Sequence, residues 1–244
     1  MKRLLFIGTL LGSLTGMPAA TVAQDSAGVN RQCYGTGDAK QTIEACTNVI
    51  GAGIVERNDL GGAFKLRGNA YADIGKYDSA IDDYGHAIAI NPDDADLLNE
   101  RGASYGAKGQ YGFSILDYDR ALAINPQSAM ALSNRCFAKA VIDRLEEALA
   151  DCNESLRLRP GNPNTLASRG FAYLKLGRSK AAIADYDTEI RLNPGNPYSL
   201  FGRGIGKHLT GDPTGASADM AAAREINPGI AEAMAELGVR LDPR

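Results

Sequence analysis

Five proline-containing tripeptides stand in strict register along this chain. Ile90-Asn91-Pro92, Ile124-Asn125-Pro126, Leu158-Arg159-Pro160, Leu192-Asn193-Pro194 and Ile226-Asn227-Pro228 recur at a constant spacing of 34 residues. Other positions keep step with them. Arg67, Arg101, Arg135, Arg169 and Arg203 form one ladder, Gly68, Gly102, Cys136, Gly170 and Gly204 a second, and Asp83, Asp117, Asp151, Asp185 and Asp219 a third. A repeat of this length is one supersecondary unit that cannot bury its own apolar face, so neighbouring units must stack and share a continuous core. That replaces the one or two compact domains that 244 residues would otherwise suggest.

Each unit reads as two helices. In the first, Phe64, Gly68 and Tyr71 share one helical face, and Ala80, Tyr84, Ala87 and Ile88 share the face of a second run. Gly75 between them suits the left-handed residue that ends a helix, and Asp78 is expected to cap the next. Small residues at Gly68, Ala80 and Ala87 let the backbones approach, while Pro92 stops the second helix.

The spacing together with Phe64, Gly68, Tyr71, Ala80, Tyr84, Ala87 and Pro92 resembles the tetratricopeptide repeat. The resemblance implies an all-α fold, a right-handed helical solenoid of antiparallel helix pairs. Units are expected at 61–94, 95–128, 129–162, 163–196 and 197–230, the last degenerate, with Pro213 in its turn and Met220 in place of an aromatic residue. Every unit departs from the family pattern by carrying Arg before the small residue. Region 24–60 holds one helix of a decayed unit, at 39–50, and 231–244 a solvating cap. There Ile230, Met234, Leu237 and Leu241 form a stripe opposite Glu232, Glu236 and Arg240.

Residues 1–23 have the three-part form of a secretory signal peptide: Lys2 and Arg3, an apolar stretch from Leu4 to Leu14, and small residues up to Ala23. The apolar stretch is about half the roughly 20 residues of a spanning helix, so cleavage after Ala23 is expected, with no stable membrane insertion afterwards. Loss of Lys2 and Arg3 takes the net charge from −3 to −5. Such a balance lacks the basic footprint of a nucleic-acid binder. The expected location is periplasmic or secreted, as in exported bacterial members of the family.

Four cysteines allow three pairings, and the local ones, Cys33 with Cys46 and Cys136 with Cys152, are expected as structural disulfides. Within an antiparallel hairpin, Cys136 and Cys152 fall at facing positions. The Arg and Asp ladders face each other similarly, so paired charges rather than an anion-binding row are expected, within or between units. No C-x-x-C occurs, and the only histidines, His86 and His208, lie in different units, so no metal or cofactor is assigned. Gly102-Ala103-Ser104-Tyr105-Gly106 matches a nucleophile-elbow pattern but falls inside a helix rather than between strand and helix. No enzyme is expected.

The resemblance places function in the concave groove lined by the first helix of each pair. Lys65, Asn69 and Asn99 make its beginning polar, and Phe137, Val141, Phe171, Leu174, Phe201 and Ile205 make its end apolar. Only Lys65 and Asn69 match the start of the family's carboxylate clamp. The expected partner is a protein or peptide, such as an amphipathic helix with a charged end. The alternative expectation is a self-associating structural protein whose apolar groove is a homo-oligomer contact.

Overall fold

In the computed structural model, Cys33 and residues 38–53 and 56–240 are described, and the expected leader at 1–23 lies outside them. The described residues form helices and turns without a strand. The helices are α1 (Ala39–Ala52), α2 (Arg57–Asp73), α3 (Tyr77–Ile90), α4 (Ala95–Ala107), α5 (Tyr111–Ile124), α6 (Ala129–Val141), α7 (Leu145–Leu158), α8 (Pro163–Lys175), α9 (Ser179–Leu192), α10 (Pro197–Leu209), α11 (Pro213–Ile226) and α12 (Ile230–Glu236). From α2 to α11 they pack as successive antiparallel pairs, each first helix also touching the second helix of the preceding pair.

Local chemistry sets the helix ends. The first helices begin on a polar side chain two residues beyond the repeated proline. Asp94, Ser128, Asn162 and Asn196 each accept from a backbone N–H of the first turn. Within each pair the chain reverses through a left-handed residue: Gly75, Gly109, Gly177 and Gly211 with φ of 73°, 73°, 71° and 88°, and Asp143 with φ of 63°. Asp78 does not cap α3. Lys76 holds the cap position without a side-chain bond, and Asp78 falls in the first turn, where its carboxylate pairs with Lys108 of the next unit.

The hairpins close by fitting a ring against a missing side chain. A Cβ placed on Gly68, Gly102 or Gly170 would stand 2.9, 2.7 or 2.9 Å from the Cε1 of Tyr84, Tyr118 or Tyr186. In the third pair this contact is replaced by the disulfide Cys136–Cys152, which spans 16 residues with the Cα atoms 5.4 Å apart. Cys33 and Cys46 are also brought together, both fully buried against Val49, Ala63 and Leu66, but as free thiols and not as the expected disulfide. A hydrogen bond from Cys46 stands in place of the covalent bond. Accepting it holds Cys33 below the usual thiol range, and donating it, together with burial, pushes Cys46 far up.

The charged ladders pair inside each unit. Nε and Nη2 of each arginine grip both carboxylate oxygens of the aspartate 16 residues later, from Arg67 with Asp83 at 2.7 Å to Arg203 with Asp219 at 2.7 and 2.6 Å. Where the first helix carries Tyr71, Tyr105 or Tyr173 one turn later, the guanidinium lies over that ring. Where it carries Lys139 or Lys207, the ammonium joins the aspartate, at 2.8 Å in both cases. At the far end, Ile230 and Met234 of α12 are fully buried in one core with Phe201 and Ile205, each such side chain contributing about 2 kcal/mol.

Candidate functional site

The first helices α4, α6, α8 and α10 send side chains into one cleft of about 700 Å³. Its floor is made of small residues, Ala103, Gly106, Ala107, Ala138 and Ala167. Aromatic side chains rise around it. Tyr111 meets Phe137 edge to face at 6.3 Å, Phe137 meets Phe171 at 5.9 Å, and Tyr198 stands half exposed at the α10 side. Asn134, Asn164 and Ser168 supply polar groups, and Ala233, Glu236 and Leu237 of α12 and its C-terminal edge close one side. A recess with a small-residue floor and aromatic walls takes up bulky apolar side chains, and the amide and hydroxyl groups at its margin can bond an extended backbone.

Toward the N-terminal end the inner face is polar and largely satisfied internally. Tyr84 donates its hydroxyl to Asn69 Oδ1 at 2.8 Å, Asn134 donates Nδ2 to Asn99 Oδ1 at 3.1 Å, and Lys65 lies 3.4 Å from Asp94. Burial lifts the Glu100 carboxyl above the ordinary range, Lys65 pulls it down, and Asp96 and Asp73 add to the rise.

The structure therefore divides the expected groove residues. Phe137 and Phe171 line the cleft, while Lys65, Asn69 and Asn99 lie on the polar stretch beside Glu100 and Asn134. Leu174, Phe201 and Ile205 are not on an open surface: they are 6%, 2% and 1% exposed. Val141 packs on the same core. For Phe201 and Ile205 the reason is α12, whose apolar stripe folds back on α10 and covers the end of the array. Part of the apolar surface on which a homo-oligomer contact is the alternative expectation, at Leu174, Phe201 and Ile205, is thus taken up inside the chain, while Phe137 and Phe171 still line the cleft.

Residues that the repeat pattern did not single out complete this region. Tyr111 enters from the start of α5, where only the preceding unit also carries a tyrosine, and Asn164 and Ser168 from α8, at positions without a recurrent residue, so the periodic signal is weak or absent. Lys175 is buried and donates to the carbonyls of Ala140 and Val141 at 3.0 and 3.2 Å, closing the C-terminus of α6. A break in the glycine ladder at Asp143 marks the place in the sequence. The other chemical groups stay structural. Ser104 donates to the Glu100 carbonyl of its own helix at 3.1 Å, and His86 stacks on Phe64 at 4.8 Å. Among the described residues no helix is long and apolar enough to cross a membrane.

Comparisons with known proteins agree with this architecture. A family model for the TPR repeat matches residues 68–109, and one for the tetratricopeptide repeat matches 163–196. The chain carries tetratricopeptide repeats at these segments, on a tetratricopeptide-repeat solenoid fold. Its fold is similar to the crystal structure of MamA, with 20% identity, coverage of 75% of this chain and 98% of that one, and a TM-score of 0.56. It is also similar to YrrB, described as a TPR protein with an unusual peptide-binding site, at 15% identity, 81% and 100% coverage and a TM-score of 0.56. A thermophilic TPR protein of Thermus thermophilus matches at 20% identity, 73% and 97% coverage and a TM-score of 0.60. At these identities the likeness is one of fold. No curated protein matches the chain by sequence.

Proposed function

We propose that this protein is a non-catalytic scaffold that holds a peptide segment of a partner protein in the inner cleft, in the cell envelope after export. The observation that carries the reading is the ring of Tyr111, Phe137, Phe171 and Tyr198 around a floor of alanine and glycine, with Asn134 and Ser168 at its edge. Apolar side chains of the peptide enter the recess, and the polar margin bonds its backbone. A peptide site on the YrrB solenoid supports the reading, since that chain shares the fold. The leader pattern at 1–23 and the disulfide Cys136–Cys152 support export to an oxidising compartment.

The test places a photo-crosslinking residue at Tyr198, which is 44% exposed in the cleft, and in a second variant at exposed Lys180 on α9. Expected is a discrete adduct from position 198 alone, lost when Asn134 is replaced by Arg. Equal adducts from both positions, or none from 198, contradict the inner cleft as the binding site. N-terminal sequencing of the chain recovered from the envelope is expected to begin at Gln24; an intact Met1 in the cytoplasm contradicts export.

A further inference from the structure

Four of the five ladder arginines make a third bond that the fifth lacks. Nη1 of Arg67, Arg135, Arg169 and Arg203 donates to Thr47, Asp119, Asn153 and Asp187 at 3.0, 2.7, 2.9 and 2.8 Å. In each case the acceptor belongs to the second helix of the preceding unit, so the guanidinium ties neighbouring hairpins together. Arg101 bonds Asp117 through Nε and Nη2 at 2.7 Å in the same manner, but in its register the preceding helix carries Gly85. A Cβ on Gly85 would stand 3.9 Å from Arg101 Nη1, so an acceptor side chain has room there and glycine supplies none. A guanidinium Nη1 group thus has no acceptor among the described residues.

The surface beside it is unlike that of the other units. Phe113 and Leu116 on α5 are 58% and 59% exposed. The equivalent positions hold Ser79 and Asp82, Glu147 and Ala150, Ala181 and Ala184, or Gly215 and Ala218, and none is a bulky apolar residue. Phe113 leans on the Tyr105 ring at 5.3 Å, and Arg101 lies over Tyr105 at 5.9 Å. Together with Arg120 these residues bound a cleft of about 500 Å³ on the outer side of the second unit. The carboxylates there are committed, Asp117 to Arg101 and Asp119 to Arg135, whereas Arg120 is half exposed and reaches Asp117 only at 3.9 Å.

We infer that this outer cleft is a second binding site, independent of the inner one, for a partner segment presenting an Asp or Glu carboxylate next to a bulky apolar side chain. The carboxylate accepts from Arg101 Nη1, in the place that Asp119, Asn153 or Asp187 fills elsewhere, with Arg120 alongside. The apolar side chain lies against Phe113 and Leu116. The complementarity is specific, because the free N–H calls for an acceptor and the exposed rings call for cover.

The protein's own repeat supplies the test. Gly85→Asp gives Arg101 the internal acceptor of the other units and closes the site without disturbing the fold, while Gly85→Ala changes helix propensity alone. The probe is an acetylated, amidated pentapeptide Ala-Leu-Glu-Phe-Ala and its Gln counterpart, titrated while the Arg101 Nε–H resonance is followed by NMR. Expected is saturable movement with the Glu peptide and binding at least about tenfold weaker with the Gln peptide, as loss of a charge-assisted bond implies. In Gly85→Asp the Glu peptide weakens about tenfold or more, with the melting temperature at or above wild type, and in Gly85→Ala affinity stays within about twofold. Equal binding of the two peptides, unchanged affinity in Gly85→Asp, or an unmoved Arg101 resonance at millimolar peptide overturns the proposal.

Discussion

Asp143 and Lys175 meet at 2.8 Å across two successive units, one in a left-handed turn and the other buried at 7% side-chain exposure. Asp143 stands where every other unit has a left-handed glycine, and its carboxylate is the counter-charge for an ammonium that also closes the end of α6. The strain of a non-glycine residue at positive φ, about 1–2 kcal/mol, is offset by this partner.

Replacing Asp143 by Gly removes strain and ion pair together, so its stability is expected within about 1 kcal/mol of wild type in urea unfolding. Lys175→Met removes the ammonium donor from the Val141 carbonyl and leaves that of Ala140 with the long bond from the Asp143 N–H at 3.4 Å, and is expected to cost about 2 kcal/mol. Equal losses in the two variants contradict this division of roles.

The arginine ladder predicts unequal costs from equal substitutions. Arg169→Met strands buried Asp185, whose only ion-pair partner among the described residues is that guanidinium, at a cost of about 3 kcal/mol. In Arg135→Met, Asp151 keeps Lys139 at 2.8 Å, and the expected loss is about 1–2 kcal/mol. Chemical denaturation of both variants decides; an Arg135 loss as large as that of Arg169 would show that the lysine does not compensate.

The covalent staple of the third unit has a measurable weight. Its 16-residue span corresponds to about 3 kcal/mol of loop-closure entropy, so reductant should lower the unfolding free energy by about that amount and the midpoint accordingly. The double variant Cys136→Gly, Cys152→Tyr restores the ring-on-glycine contact of the other hairpins. It is expected to recover part of the stability and to be insensitive to reductant; a midpoint no higher than that of the double alanine variant counts against the equivalence.

Two carboxylates set opposite pH trends. Asp219 is pushed up by burial, but hydrogen bonds from Arg203 and Lys207 outweigh this and leave it below the usual range. A depressed folded-state pKa gives stability that is present above about pH 4 and lost as pH falls through the folded value. Glu100 is raised, chiefly by burial, so its contribution is full below about pH 4.3 and is lost as pH rises through its folded value. Lys207→Met is therefore expected to move acid unfolding to higher pH, and Glu100→Gln to be more stable than wild type at pH 7. Thermal melts from pH 2 to 7 test both signs.

The helices and their pairing were legible because the period repeats each signal five times, so that Pro92 or Gly68 is read together with its counterparts. The facing of Cys136 with Cys152 followed from antiparallel geometry alone. The inner cleft was legible only in part. Phe137 and Phe171 were found by register, whereas Tyr111, Asn164 and Lys175 occupy positions where units differ, and a periodic reading carries no information there. Leu174, Phe201 and Ile205 were misplaced because a groove position says where a side chain points and not what later folds over it.

What the sequence determined by itself is the repeating unit: two helices, a left-handed turn between them, and an arginine facing an aspartate. These are short-range properties, settled within about 34 residues by backbone geometry and the pairing of charges. The tertiary structure decided what depends on contacts between units and with the chain's end. Cys33 and Cys46 meet as thiols, α12 covers one end of the groove, Asp143 and Lys175 lock two units, and Gly85 leaves Arg101 without its third acceptor. Each rests on a departure from the repeat, and the effect of a departure is fixed by whichever neighbour the stacked array places against it.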